Sequence, residues 1–402
     1  MARFSISGLF GHFNYELHIR ENGITILTGP NGYGKTTIIR CIYAIGNSDL
    51  DFFFEPIYDT IEVTAEDERK RLTIVSKDDY VLFNGKKIKQ KYIRYFNRGM
   101  DIAKKKLVSY VEMEEFSKEK EDYREILSIM KDIFGDVFFI SEHRIVGDRT
   151  RRSIRYIGER SIEREWIEST EEIPDKLEKC MQEAEGNYSQ KANELDSTFP
   201  ERLFIQKEGI SEKDFYESLQ LMHTRVQKLH NNGFTRMREL KNMEFRREDA
   251  RALKVYFEDF DSKYREFEGI LDRLELFQNI VNRRFRFKRM EISYTRGLVV
   301  IDETSGRPIH LSRLSSGEKE IIVLFYNLLF ENSDGGFLLI DEPEMSLHIA
   351  WQRMFIEDLK KISELRKLTL LIATHSPQII NGNRNIQIDL GELYKNGLNQ
   401  RK

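Results

Sequence analysis

Hydrophobic and polar residues alternate at the start of the chain, as they do in strands that bury one face. Three such segments run from Phe4 to Leu9, from Tyr15 to Ile19 and from Ile24 to Thr28. The third leads through Gly29 into a helical pattern that begins near Thr36. A glycine-rich turn between a strand and a helix is typical of α/β proteins, so this segment predicts an α/β domain.

Further strand-like stretches follow the first helix. They run from Ile61 to Thr64, from Leu72 to Ser76 and from Tyr80 to Phe83, where Asn84-Gly85 is a turn signal. These short alternating segments predict an antiparallel side sheet. The apolar run from Val137 to Ile140 predicts a buried strand of the main sheet.

The middle of the chain, from about Arg144 to Val281, has dense alternating charge with apolar residues at helical spacing. Ser211 to Asp214 resembles a capping box, and Asn231 to Gly233 is a typical helix stop. We therefore predict a helical insertion that contains at least two helices.

One helix of this insertion carries a heptad-like seam in which apolar positions step by four and three. The positions are Leu253, Phe257, Phe260, Tyr264, Phe267, Leu271, Leu274, Gln278 and Val281. Its aromatic residues favour a thick bundle or an oligomer contact over a slim two-stranded coiled coil. An ordinary core face is the alternative reading of the same pattern.

Strand-like segments return at Phe285 to Tyr294 and Leu298 to Asp302, and strands alternate with helices from there to the end. The predicted organisation is an α/β domain formed by residues 1–145 and 284–402, interrupted by the helical insertion at 146–283. The predicted fold class is α/β, a mixed sheet with flanking helices plus the antiparallel side sheet.

Composition and charge exclude several classes of protein. The 402 residues include 64 Lys+Arg and 67 Asp+Glu, so a nucleic-acid contact would need a local basic patch rather than a global field. Cys41 and Cys180 are too few for a disulfide framework or a four-cysteine zinc site. The N-terminus lacks the basic-then-apolar pattern of an export signal, and no apolar run reaches membrane-spanning length. We expect a cytoplasmic protein with no membrane contact.

The segment from Gly29 to Thr36 matches the P-loop pattern GxxxxGK[ST]. Such a loop turns backbone N–H groups toward phosphates, and the helix N-terminus adds a partial positive charge. Lys35 is expected to neutralise phosphate oxygens of ATP, and Thr36 to offer a hydroxyl to Mg²⁺. The predicted nucleotide-binding residues are Asn31, Gly32, Tyr33, Gly34, Lys35, Thr36 and Thr37.

The apolar run from Phe337 to Ile340 ends in two acids, Asp341 and Glu342. A buried parallel strand that delivers carboxylates to a phosphate site has this pattern, which is known as Walker B. Asp341 is predicted to hold Mg²⁺, and Glu342 to act as the general base on the attacking water. A plain strand followed by an acidic turn is the alternative, which the upstream P-loop disfavours.

Ser315, Ser316 and Gly317 form a small-residue turn before a helix expected to begin near Lys319. Between a P-loop and a Walker B strand, this turn resembles the signature motif of ABC-type ATPases. In that family the signature contacts the γ-phosphate bound by the opposite subunit. The resemblance therefore implies a homodimer through shared ATP.

Two later motifs strengthen the resemblance. Glu344 to His348 resembles the D-loop of the same family, and His375 resembles its switch histidine and is expected to be catalytic. The family's Q-loop glutamine should follow a strand after the P-loop. The segment after Ile140 offers Glu142 and His143 instead, and Glu142 is predicted as a metal residue.

The chain is most similar to compact RecF-like and OLD-like ATPases of the AAA_15 type. The stretch from Asp341 to Gln352 looks most like stand-alone ATPase subunits of bacterial anti-phage systems such as PARIS, Septu and abortive-infection modules. The resemblance implies a slow ATPase that senses a phage trigger protein and controls a separately encoded TOPRIM or HNH nuclease. OLD nucleases carry a C-terminal TOPRIM domain, and the segment after His375 is too short for one, so no nuclease activity of its own is expected.

Two rival functions stay open at the level of sequence. A RecF-like repair ATPase would clamp DNA directly, and a nucleotide-binding scaffold would turn over negligibly. Basic clusters from Arg283 to Arg289 and from Arg149 to Arg155 could bind DNA or an acidic partner, while a half-buried strand with a solvated face is the alternative for the first. The aromatic seam could build higher oligomers.

Overall fold

The computed structural model describes residues 2–55, 57–65, 70–91, 110–140, 159–234, 243–331 and 333–399. Its contacts divide the chain into two compact units, one made of Met1–Ile154 with Asn332–Lys402 and the other of Arg155–Glu331. Each unit has its own sheets and helices. None of the described helices is long and apolar enough to cross a membrane.

The strands of the first unit form two sheets. They are β1 (Ala2–Leu9), β2 (Phe13–Ile19), β3 (Ile24–Thr28), β4 (Thr60–Thr64), β5 (Arg71–Ser76), β6 (Tyr80–Phe83), β7 (Lys86–Lys89) and β8 (Val137–Ile140). Three strands of the second unit follow, β9 (Lys288–Ser293), β10 (Gly297–Asp302) and β11 (Pro308–Ile309). The first unit then adds β12 (Phe337–Asp341), β13 (Thr369–Ala373) and β14 (Gln387–Asp389).

The helices are divided between the same units. The first unit contains α1 (Lys35–Gly46) and α2 (Tyr110–Phe134), and the second contains α3 (Glu159–Ile205), α4 (Glu212–Asn231), α5 (Ala250–Asn282) and α6 (Ser316–Tyr326). After the second unit come α7 (Ile349–Arg366), α8 (Pro377–Ile380) and α9 (Leu390–Asn399).

A five-stranded parallel sheet organises the first unit, in the order β14-β3-β13-β12-β8. Strands β3, β12 and β13 are buried along their whole length, which explains their unbroken apolar runs. In register, Ile340 lies beside Ile140 on one side and Ile372 on the other. The carboxyl ends of these strands therefore meet at one edge of the sheet, where parallel sheets place their ligands.

The predicted side sheet is confirmed as a six-stranded antiparallel sheet in the order β2-β1-β4-β5-β6-β7. Its alternation is plain in β4, where Ile61 and Val63 are buried and their neighbours are not. Phe4 and Ile6 of β1 belong to the same apolar core as Ile38 and Ile42 of α1. This core supports the start of α1, and with it the P-loop.

The second unit contains the helical segment and the three-stranded sheet β11-β10-β9. The predicted seam of α5 is buried from Leu253 to Leu274. Beyond that point the seam residue Val281 is buried and Gln278 is only half-buried, while Phe277 and Ile280, each one position before a seam residue, are buried as well. A straight helix of 3.6 residues per turn drifts from a strict heptad repeat, which widens the buried face toward the preceding positions. Within this unit the seam forms part of the core.

The signature segment lies in the second unit, together with the helical segment. Residues Ile321 to Tyr326 of α6 are all buried, and the Phe277 ring lies 6.4 Å from the Tyr326 ring. The contact boundary after Glu331 differs from the sequence-based boundary at 283/284, because the strands and helix of 288–326 pack on the helical segment. The three-part domain division stays a prediction.

Candidate functional site

The P-loop links β3 to α1 through glycines with left-handed backbone. Gly32 and Gly34 have φ of 82° and 89°, which only glycine adopts without strain. Gly34 is also the N-cap of α1 and gives it no side-chain cap, and the first turn contains no acidic residue. The positive end of the helix is therefore not compensated by its own first turn and is oriented to receive an anion.

Lys35 is buried, with 5% of its surface exposed. Its Nζ donates to the carbonyl oxygens of Gly29 at 3.1 Å and Pro30 at 3.4 Å. Burial lowers the pKa of Lys35, and the charges of nearby carboxylates such as Glu342 and Asp341 oppose that effect. A buried ammonium held by weak carbonyl contacts gains from phosphate oxygens, which are stronger acceptors.

The two acids predicted as Walker B lie at the carboxyl end of β12, at the same edge of the sheet as the P-loop. Asp341 is buried, and its backbone is in register with Ala373. Glu342 has a left-handed φ of 48°, held by the bond from its N–H to the Ala373 carbonyl at 2.9 Å. Strained backbone of this kind concentrates at functional sites.

Burial raises the pKa of Glu342 to about 7, and the charge of Glu344 acts in the same direction while Lys35 opposes it. A carboxyl group with such a pKa is half-ionised near neutrality. It therefore matches the proton affinity that a general base needs at the pH of the cell.

His375 lies between the P-loop lysine and the acid. Its Nε2 is 2.9 Å from Glu342 Oε1, and its Nδ1 is 3.4 Å from Lys35 Nζ. Burial first, and then the Lys35 charge, lower the pKa of His375, so the ring is neutral. One neutral tautomer satisfies both contacts, donating from Nε2 and accepting at Nδ1. The structure thus brings together Lys35, Glu342 and His375, which are far apart in the sequence.

Tyr33 of the P-loop belongs to an aromatic cluster. Its ring lies 5.1 Å from the Phe13 ring of β2 and 6.0 Å from the Tyr394 ring of α9. Asp389, just before α9, accepts a hydrogen bond at 3.1 Å from the hydroxyl of Thr28 at the end of β3. No sequence pattern links these residues, since α9 and the P-loop are separated by almost the whole chain.

The signature residues Ser315, Ser316 and Gly317 lie in the second unit. Ser315 is the N-cap of α6 and forms a full capping box with Glu318, so the helix begins at Ser316 rather than near Lys319 as predicted. Ser315 and Ser316 are exposed and Gly317 is half-buried. The predicted metal residue Glu142 and its neighbour His143 lie outside the described residues.

The residues present fit Mg²⁺ at the nucleotide. Mg²⁺ usually takes one or two protein oxygens together with phosphate oxygens and water. Thr36, at the start of α1, and Asp341, at the end of β12, offer a hydroxyl and a carboxylate of that kind. In the described part of the chain, no group of three or more His, Cys, Asp or Glu side chains could hold a metal ion.

Two residues of the loop and helix after β12 received no role from the sequence. Glu344 accepts three hydrogen bonds from the loop that carries His375, and buried Gln352 bonds to both loops. Both belong to the motif from Asp341 to Gln352, and Glu344 also begins the segment that resembles the D-loop.

Comparisons with known proteins also indicate an ATPase domain. The family model described as AAA ATPase domain matches residues 6–380. Septu protein PtuA of Bacillus thuringiensis is 34% identical over 94 residues, which cover 20% of this chain and 23% of that protein. Retron Ec83 probable ATPase of Escherichia coli is 34% identical over 93 residues, or 20% of this chain and 17% of that protein. The matched segment thus spans about a fifth of each relative's length.

Solved structures that resemble this chain include heads of Smc proteins. The SmcHead bound to the C-winged helix domain of ScpA has 13% identity and a TM-score of 0.40, covering 95% of this chain and 90% of that chain. The SMC head domain from Thermotoga maritima has 12% identity and a TM-score of 0.37, covering 94% and 90%.

Proposed function

Since this chain belongs to the AAA ATPase domain family (AAA_15), we propose that it hydrolyses ATP slowly as the switch subunit of an anti-phage defence complex. The observation that carries the catalytic part is the convergence of Lys35, Glu342 and His375 within hydrogen-bonding distance at one edge of the parallel sheet. A lysine can neutralise phosphate charge, a carboxyl group with raised pKa can act as general base, and an imidazole can hold that base in place, which together serve phosphoryl transfer to water.

Each residue has a distinct role in the proposal. The P-loop residues Asn31 to Thr37 bind the phosphates through backbone N–H groups, and Lys35 neutralises their charge. Thr36 and Asp341 hold Mg²⁺, which would offset the negative charge on the phosphate oxygens. Glu142 stays a predicted third metal residue.

Glu342 takes the proton of the attacking water. His375 holds the Glu342 carboxylate in place through its Nε2–H, because the 2.9 Å contact fixes one of the two carboxylate oxygens. The other oxygen is then left to receive the proton.

Dimerisation through shared ATP is part of the same proposal. Ser316 and Gly317 form the first turn of the helix that Ser315 caps, so their N–H groups are suited to a phosphate bound by a second copy. Met345 and Ile349, which follow the Walker B acids, are 71% and 61% exposed although both are apolar. Apolar side chains exposed beside a ligand site are typical of interfaces.

The defence role is supported by two relatives. The matched segments of Septu protein PtuA and of the retron ATPase are each 34% identical to this chain. Following the Septu resemblance, we propose that a phage trigger protein acts on this ATPase and that its conformational state controls a separately encoded nuclease of TOPRIM or HNH type.

Two findings bear on direct DNA binding. Within the basic cluster from Arg283 to Arg289, Lys288 is paired with Glu318 and Arg289 with Glu291, while Arg284 is buried. Arg283 and Arg286 of the same cluster are exposed. The second cluster, Arg149 to Arg155, lies outside the described residues.

The catalytic proposal is tested with purified protein. Lys35→Ala should abolish ATP binding because the cation that offsets the phosphate charge is lost, whereas Glu342→Gln should bind ATP and lose turnover. Binding titrations and phosphate release measure both. If Glu342→Gln hydrolyses ATP as fast as wild type, Glu342 is not the general base.

The defence proposal is tested in cells with the native operon. Wild type should lower phage plating, and Glu342→Gln should not. Pull-down should recover a nuclease, while the purified ATPase alone should leave DNA intact with any divalent metal. Tight, ATP-dependent and salt-sensitive DNA binding with no recoverable protein would favour the repair clamp instead.

A further inference from the structure

Glu344 joins the loop after β12 to the loop after β13. Its Oε1 accepts hydrogen bonds from the Thr374 hydroxyl at 2.7 Å, from the His375 backbone N–H at 2.7 Å and from the Ser376 backbone N–H at 3.0 Å. All three donors of this carboxylate oxygen come from consecutive residues. Hydrogen bonds to a charged acceptor are about twice as strong as neutral ones, so this contact fixes the loop firmly.

The position of Glu344 in the chain makes this contact relevant to catalysis. Glu344 and Glu342 belong to one short turn, in which Pro343–Ser346 form a single turn of 3₁₀-helix. Glu342 contacts the ring of His375, and Glu344 contacts its backbone. Two contacts from one rigid turn determine both where the histidine backbone lies and where its ring points.

Gln352 of α7 fixes the same two loops from the other side. Its Nε2 donates to the carbonyl oxygens of Leu347 at 2.9 Å and Glu344 at 3.3 Å, and its Oε1 accepts from the Ser376 hydroxyl at 2.7 Å. Only 7% of Gln352 is exposed. With these three hydrogen bonds, the buried amide of Gln352 connects the two loops.

The third connection leads to the P-loop strand. The N–H of Thr374 donates to the carbonyl of Leu27, in the strand that ends one residue before Gly29, at 3.1 Å. The loop from Thr374 to Ser376 is therefore bonded to strand β3, to the loop after β12 and to α7. An apolar residue at 344 would fill the space without meeting any of these donors.

We propose that Glu344 is a positioning residue, which sets the distance between the His375 ring and Glu342 by accepting three hydrogen bonds from the loop that carries the histidine. This inference rests on the proposed ATP hydrolysis. Glu344 itself needs no contact with ATP for this role. Its effect should therefore fall on turnover and not on ATP affinity.

The test compares four proteins that differ at one position each. Glu344→Leu removes all acceptors, whereas Glu344→Gln keeps an amide oxygen that can accept the same bonds. Glu357→Leu is the matched control, because Glu357 is an exposed acid on the nearby helix α7. We expect Glu344→Leu to lower kcat at least about tenfold with ATP affinity within about threefold, as loss of a hydrogen-bonded anchor predicts. Glu344→Gln should lose clearly less kcat than Glu344→Leu, because its amide oxygen accepts the same bonds without the charge, and the control should stay within about threefold of wild type.

A second readout does not depend on turnover. Amide hydrogen exchange of the peptide containing residues 374–377 should be faster in Glu344→Leu than in wild type, and intermediate in Glu344→Gln. If wild type hydrolyses no ATP, the proposed function fails while exchange still tests the hydrogen bonds. If Glu344→Leu does not fold, Glu344→Asp takes its place, since the shorter side chain stretches all three contacts.

Two results would overturn the inference. One is a folded Glu344→Leu, or Glu344→Asp in its place, that keeps kcat within about twofold and leaves exchange unchanged. The other is a loss of kcat in Glu344→Gln as large as in Glu344→Leu, because the acceptor geometry would then not be what matters.

Discussion

Lys288 donates from its Nζ to both carboxylate oxygens of Glu318, at 2.8 and 2.9 Å. Glu318 also accepts from the backbone N–H of Ser315 at 2.8 Å and from its hydroxyl at 3.0 Å. A cation on strand β9 therefore holds the acid that caps the helix of the signature segment. Burial raises the pKa of Glu318, but the bonds from Lys288 and Ser315 outweigh it and lower the pKa.

Lys288→Met should lower the free energy of unfolding at pH 7 by about 1 kcal/mol, because a partly buried ion pair with two hydrogen bonds is lost. Since the pKa of Glu318 is lowered in the folded state, this stability is present above the unfolded pKa near 4.5 and is lost as the pH falls through the folded value. Urea unfolding of both proteins from pH 7 down to about pH 3 measures the difference.

Lys319→Met is the control, since Lys319 lies on the same helix and its side chain makes no ion pair among the described contacts. It should unfold like wild type at every pH. If the difference in the free energy of unfolding between Lys288→Met and wild type stays constant as the Glu318 carboxylate is protonated, the ion pair does not cause that difference.

Gly34→Ala and Gly32→Ala distinguish two ways in which a side chain in the P-loop lowers stability, namely backbone strain and a steric clash. Both glycines have positive φ, but a Cβ at Gly34 would come within 2.4 Å of Leu9 Cδ2, whereas a Cβ at Gly32 meets nothing within 4 Å. Gly32→Ala should lose about 1 kcal/mol of stability from backbone strain, and Gly34→Ala should lose about 1–3 kcal/mol more from the clash. Thermal unfolding without nucleotide compares the stabilities of the two variants. Equal losses of stability would contradict the role of Leu9.

Part of the fold could be predicted because its signals are local. The buried strands β3, β12 and β13 are unbroken apolar runs, and the P-loop pattern stands between a strand and a helix. Lys35 and Asp341 were expected at one phosphate site because each follows a buried strand, whereas His375 was included because its motif resembles the switch histidine of ABC-type ATPases. The side sheet was predictable for the same reason, as its strands alternate cleanly.

The remaining features depend on contacts between distant residues. The capping box of Ser315 and Glu318 is local, yet its partner Lys288 is set by the packing of β9, and no pattern around Lys288 distinguishes it from a solvated lysine. Similarly, Gln278 continued the heptad by spacing, but the burial of Phe277 follows from its contact with Tyr326. The three donors to Glu344 include two backbone N–H groups, which leave no trace in the sequence.

Neither cysteine should react readily with iodoacetamide in the folded protein. Burial raises the pKa of both thiols, and Cys41 is completely buried while Cys180 is half-buried. Because the thiolate is the reactive form, labelling at pH 8 should be slow, with Cys180 ahead of Cys41. Mass spectrometry of the labelled protein should show two modifications after unfolding in urea; rapid labelling of native Cys41 would contradict its burial.

The exposed residues Met345 and Ile349 provide a test of dimerisation that leaves the nucleotide residues intact. If they contact a second copy when ATP is shared, then Met345→Lys together with Ile349→Lys should place two like charges on each face and prevent the dimer. The change is best made with Glu342→Gln, which should keep ATP bound, and followed by native mass spectrometry with and without ATP. Glu357→Lys, on the exposed face of the same helix as Ile349, controls for added charge and should dimerise normally. The double lysine variant should bind ATP with near-normal affinity and stay monomeric. An unchanged ATP-dependent dimer would place the interface elsewhere on the chain.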